Sequence, residues 1–209
     1  MRKVRSLLGE RLEFDRETTV ITVVSTLLLI IESYFSVTPW EHLDRFVLYL
    51  LVPLGVIVFI QGESPREYGL QWGNWRAGAV LTLLGLILMT PVIVYLGTRN
   101  PGMQDYYRRG QTGGVLGANA LDLIGWEFLF RGWILFGYAR RYGPDALWLQ
   151  AVPFAVAHIG KPGVETLSTI FGGFAFGWVA YRTRSFIYPF LIHLFIASLV
   201  IFAASSAGG

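Results

Sequence analysis

The sequence predicts an all-α protein, a polytopic bundle of about seven (six to eight) transmembrane helices. Three observations carry this. The 209 residues are 54% hydrophobic and only 15% charged, with a mean hydropathy of +0.51. The apolar residues fall in blocks of roughly 15–20, close to the length that crosses a hydrocarbon core. The basic residues gather in short clusters between those blocks. A soluble domain of this length has no core large enough to hide so much apolar surface. The net charge of +3 is too small and too scattered for a nucleic-acid-binding stripe. There are no cysteines, which excludes disulfides, thiolate catalysis and Cys-ligated zinc.

Residues 1–17 form a polar, basic-leaning segment with Arg2, Lys3, Arg5, Arg11 and Arg16. The first span, about Thr18 to Val37, lacks a small-residue cleavage site and reads as an uncleaved helix. A second span covers about Phe46 to Gln61. The polar loop Gly62 to Arg76 ends near Trp72 and Trp75, whose amphipathic rings suit a membrane interface. The third span is about Ala77 to Leu96, followed by a polar loop, Gly97 to Gly114, with Arg99, Arg108 and Arg109. The fourth, about Val115 to Tyr138, ends at Arg140-Arg141. The fifth, about Ala146 to Ile159, is short and holds Pro153. Lys161-Pro162-Gly163 is a turn.

The sixth span, about Val164 to Tyr181, opens with Glu165, favourable near a helix amino end. Its Gly173-Phe-Ala-Phe-Gly177 spacing lets another helix approach closely. Arg182 and Arg184 precede the seventh, about Phe186 to Ala204. Alternating the spans puts the amino terminus, Arg66, Arg76, Arg140-Arg141 and Arg182-Arg184 on one side, cytoplasmic by the excess of positive charge. The chain reads as one integral membrane domain, 1–209.

Chemistry concentrates where polar groups interrupt the apolar blocks. Glu127 and Arg131 are four apart inside the fourth span and share a helix face. Each such charge costs roughly 2.5–3.5 kcal/mol on insertion scales, so it has a partner, a cavity or a task. His158 and His193 lie on later apolar segments. Together these four could converge on a site where Glu127 and His158 activate a water and His193 stabilises an oxyanion, which is peptide hydrolysis without a covalent intermediate. The plainer alternatives are a Glu127–Arg131 ion pair that only fixes packing, and histidines that only bond neighbouring helices. Glu127, His158 and His193 as three zinc ligands with a water is a further alternative, weakened by the absence of H-E-x-x-H. An ion-coupled transporter is another.

Three short motifs resemble those of the CAAX protease and bacteriocin-processing family, also called Abi, which includes the type II CAAX prenyl endopeptidases. The family pattern E-E-x-x-x-R, F-x-x-x-H and H-x-x-x-N appears here as Trp126-Glu127-Phe-Leu-Phe-Arg131, Phe154-Ala-Val-Ala-His158 and His193-Leu-Phe-Ile-Ala197. The resemblance covers about 64–204 and is best in the last half. It implies a helical bundle whose motifs line an intramembrane cavity, in a bacterial or archaeal cell membrane. It also implies a glutamate-dependent endopeptidase that acts on membrane-associated peptides or proteins and needs no cofactor. In the family a motif glutamate and the first histidine activate water, while the last histidine and the asparagine hold the oxyanion. The chain departs from that pattern at two places, with Trp126 where the first glutamate stands and Ala197 where the asparagine stands. Glu165, just after His158 in the chain, is a candidate auxiliary acid. Asp122, about 140° around the helix from Glu127, is not. The departures also leave open a catalytically silent membrane scaffold that binds a partner. Oligomeric state is not read from the sequence.

Overall fold

The computed structural model describes residues 12–109 and 115–206. Arg2, Lys3, Arg5 and Arg11 of the expected amino-terminal segment, and Gly110–Gly114 of the expected polar loop, lie outside the described residues. So do the side chains of Arg108 and Arg109. Among the described residues all of the regular secondary structure is helical.

In order, the helices are α1 Arg16–Tyr34, α2 Glu41–Gln61, α3 Trp75–Arg99, α4 Pro101–Arg109, α5 spanning 115–142, α6 Ala146–Val156, α7 Gly163–Thr183 and α8 Ile187–Ser206. Local chemistry sets their ends. The Asp15 carboxylate accepts from the Thr18 N–H at 2.8 Å and opens α1. The Asn74 side chain accepts from the Ala77 N–H at 3.1 Å and opens α3. These bonds satisfy donors that have no partner within the helix. Gly62, at φ 71°, ends α2 in the left-handed region that glycine enters without steric cost.

Among the described residues four helices, α1, α2, α3 and α8, are long and apolar enough to cross a membrane. Both α5 and the 21-residue α7 have the length, though each carries charge. Six spans by length is the lower end of the expected range. The expected fifth span becomes α6, whose 11 residues reach only about 16 Å, half of a hydrocarbon core. The expected loop after α3 contains α4, a polar helix whose Met103 packs with Ile93 of α3 and Val200 of α8. The match to the expected span limits is otherwise close, because long apolar blocks leave little choice of helix position.

At the centre stands α5. The π-helical turn Phe128–Ile134 lies within it, and all seven of its residues are buried. A helix buried on every side is a core helix, and the others wrap it. It meets α2 closely at Gly125, where an added Cβ would lie 2.5 Å from the Arg45 carbonyl oxygen. The Gly173/Gly177 face of α7 receives α6, with Ala151 and Phe154 against Gly173 and Gln150 against Gly177. The buried Gln150 amide locks this pair by donating to the Gly173 carbonyl at 2.7 Å. The expected close helix approach is therefore made inside the bundle. On the other flank α8 lies along α3, with Ile192 seated over Gly85.

Candidate active site

Three of the expected residues, Glu127, Arg131 and His193, meet around α5, and His158 stands next to them across the Phe154 ring. Glu127 ends the regular α-helical part of α5, and the π turn begins at the next residue. The wider i→i+5 turn keeps Arg131 on the same side, with its Nη1 3.3 Å from Glu127 Oε1. Neither side chain reaches solvent, at 0% exposure for both. From α8, His193 Nδ1 lies 2.7 Å from the same Oε1 and donates to it when Glu127 is ionised. The second carboxylate oxygen, Oε2, has no protein partner, and the Arg131 nitrogens make no hydrogen bond.

His158 sits just past the end of α6. Its Nδ1 is 2.8 Å from the Phe154 carbonyl. A carbonyl only accepts, so Nδ1 carries the proton and Nε2 keeps its lone pair. Phe154, one turn before His158, ties the site together. Its ring centroid is 3.8 Å from the Arg131 guanidinium carbon, 4.4 Å from the His158 ring and 6.1 Å from the His193 ring. A desolvated guanidinium over an aromatic face gains about 2 kcal/mol or more. That offsets part of the cost of burying Arg131. Phe176 of α7 closes the other side, 5.2 Å from the guanidinium and 5.3 Å from His193.

The two departures occupy defined places. Trp126 stacks on Phe130 at 5.4 Å and presents an edge-on contact to His158 at 5.5 Å. Behind it, the Arg45 guanidinium carbon stands 5.7 Å from the Trp126 ring. Asp122 is taken by that arginine, at 3.0 Å, together with Glu32 at 2.6 Å. Ala197, one turn after His193 on α8, is half-buried and offers no donor.

Glu165 accepts from the Tyr107 hydroxyl of α4 at 2.7 Å and from Lys161 at 3.0 Å. These two contacts tie the start of α7 to α4, and neither partner is Glu127, His158 or His193. Among the described residues no group of three or more His, Asp or Glu gathers so as to hold a metal ion. The sequence signal for Phe154 was its place four residues before His158. No comparable signal marked Phe176, Tyr107 or Arg45, which come from elements distant in the chain.

Residues 110–199 match the family model described as type II CAAX prenyl endopeptidase Rce1-like. The match is consistent with the CAAX protease and bacteriocin-processing family, a family of proteases, and takes in Glu127, Arg131, His158 and His193. No curated protein and no solved structure matches the chain. With four apolar membrane-length helices the protein is an integral membrane protein, and its residues 110–199 are similar to the type II CAAX prenyl endopeptidases.

Proposed function

We propose that this CAAX-protease-like protein is an intramembrane glutamic endopeptidase that hydrolyses peptide bonds of membrane-associated peptides or proteins. The observation that carries the reading is the Glu127 carboxylate, buried, with Oε1 hydrogen-bonded to His193 and ion-paired with Arg131, and with Oε2 left without a protein partner. In this reading Oε2 takes a proton from a water as that water attacks the scissile carbonyl carbon. The lone pair on His158 Nε2 orients the same water. His193, protonated and donating from Nδ1 to Oε1, turns its Nε2–H toward the oxyanion. Collapse of the tetrahedral intermediate breaks the C–N bond, and Glu127 returns the proton to the leaving amine. Arg131 supplies a positive charge 3.3 Å from Glu127 Oε1. The reaction as written uses no cofactor, and the cytoplasmic placement of the amino terminus remains part of the proposal.

The test is cleavage of a membrane-anchored peptide library by the purified chain in bilayers. Glu127→Gln, His158→Ala and His193→Ala are each expected to abolish cleavage while the thermal transition stays cooperative. Cleavage undiminished in all three would remove the mechanism.

A second reading draws on one observation. Trp126 fills the space beside His158 with an aromatic ring instead of an acid. On that ground the protein would be a catalytically silent scaffold holding a partner in the membrane. Cleavage that is absent from the wild-type chain and unaffected by any of the three substitutions is its signature.

A further inference from the structure

A groove lies between the first turn of α3 and the last turn of α7, away from the candidate active site. It encloses about 440 Å³, and its lining includes Arg76, Ala77, Val80, Leu81, Trp178 and Arg182. The Asn74 N–H donates to the Thr183 carbonyl at 2.8 Å and joins the two helix ends at its head. The groove is polar at one end and apolar along its length. Arg76 and Arg182 are both exposed at the head, and neither meets a carboxylate among the described residues. The Arg76 guanidinium carbon rests 5.5 Å from the Trp75 ring centroid. Below them Val80 is 58% exposed, and the α3 surface continues as Leu83, Leu84 and Ile87, all exposed.

Two unpaired cations above an apolar channel fit a ligand that is anionic at one end and hydrocarbon at the other. Trp178 lines the groove and Trp75 stands against Arg76 at its head, both exposed, as amphipathic rings do at headgroup depth. Within a bilayer the abundant molecule of that shape is an anionic phospholipid. Basic pockets between helices at the cytoplasmic face are a general form of headgroup site. We propose that Arg76 and Arg182 bind the phosphate of an anionic phospholipid whose acyl chain lies along Ala77, Val80 and Leu81. Binding there would pin α3 to α7, and so brace the helices that carry Phe176 and, through α8, His193. A free phosphate would use the arginines but not the apolar channel, which is why a lipid is the occupant.

The experiment uses the full chain reconstituted in phosphatidylcholine bilayers at physiological salt. Spin-labelled phosphatidylglycerol and spin-labelled phosphatidylcholine are compared by the fraction that the protein immobilises. The wild-type chain is expected to prefer phosphatidylglycerol. The preference should fall about fivefold per arginine removed, to near parity in R76Q/R182Q. Ala77→Phe should remove it at unchanged charge by filling the channel. Arg99→Gln, the same charge lost at the far end of α3, should leave it intact, and millimolar glycerol phosphate should not displace the lipid. The proposal fails if the wild-type chain shows no preference, or if the preference survives both groove changes. It fails equally if Arg99→Gln abolishes the preference, or if glycerol phosphate displaces the lipid.

Discussion

Replacing Arg131 tests whether the buried charges act as a unit. Arg131 and Glu127 are both at 0% exposure, 3.3 Å apart, and the guanidinium lies 3.8 Å over Phe154. In Arg131→Met the side-chain volume is roughly kept, but Glu127 is left as an uncompensated buried carboxylate beside His193. Removing one partner of such a pair costs about 3–5 kcal/mol. For a chain of this size that lowers the melting temperature by on the order of 10 °C. In Glu127→Gln/Arg131→Met both charges are gone, and the neutral amide can still accept from His193. Uncharged replacements for a buried pair are often neutral or stabilising, so the double variant should recover most of the loss. The coupling between the two sites should then be about 2–4 kcal/mol. Intrinsic tryptophan fluorescence follows unfolding directly, because Trp133 is buried in the π turn and Trp126 stacks beside it. Equal stability of Arg131→Met and the wild-type chain, or strictly additive losses in the double variant, would refute the reasoning.

Three further changes probe the surroundings. Trp126→Glu restores an acid beside His158, under the Arg45 guanidinium. It should raise peptide turnover at least tenfold, because a positioned acid or base contributes about 10²–10⁴. It should also lower the melting temperature through the lost contacts with Phe130 and Tyr49; unchanged turnover would count against the hydrolytic reading. Tyr107→Phe removes the 2.7 Å bond to Glu165, worth about 1.5–3 kcal/mol if Glu165 is charged. Amides in 101–109 should then exchange on the order of tenfold faster or more, with α2 unaffected. Outside the spans, burial pushes the Glu63 carboxyl up, but hydrogen bonds from Tyr68 and Arg140, each at 2.7 Å, outweigh it and hold it below the usual glutamate range. Its contribution to stability is therefore present above the ordinary value of about 4.3 and lost as pH falls through the lowered one. The melting temperature of Glu63→Gln should accordingly depend less on pH across that window than that of the wild-type chain.

The helices were legible because membrane-length apolar blocks leave few alternatives, and the limits expected for α3 and α8 are within a few residues of those observed. The Glu127–Arg131 pairing was legible from its spacing alone. The π turn that begins at Phe128 was not, since nothing in the order of residues distinguishes an i→i+5 turn from an i→i+4 one. Also hidden was which imidazole meets Glu127. His193 does so directly, while His158 turns its Nδ1 back onto its own helix, a choice set by how α6 and α8 pack on α5. The polar helix α4 was missed because its apolar face is small, Met103 being its one buried side chain in the core cluster among the described residues. Glu165 illustrates the limit of chain proximity. It follows His158 closely in sequence, yet the side chains that engage it are Tyr107 and Lys161.

These placements constrain how water or a peptide would reach the carboxylate. Trp126, Phe130 and Phe154 close the site on the side of α2 and α6, and His158 behind them is only 4% exposed. Arg131 is sealed between Phe154 and Phe176. Of the four polar side chains, His193 keeps the most accessible surface, at 13% against 0% for Glu127. Ala197, one turn along α8 from His193, is small where a polar side chain would narrow the approach. The exposure of His193 points to entry along α8. Ala197→Phe on that route should impede a peptide substrate more than Leu199→Phe, which lies beside Val200 in the cluster that also packs against α3 and α4. Equal inhibition by the two substitutions would mean that the carboxylate is approached from another side.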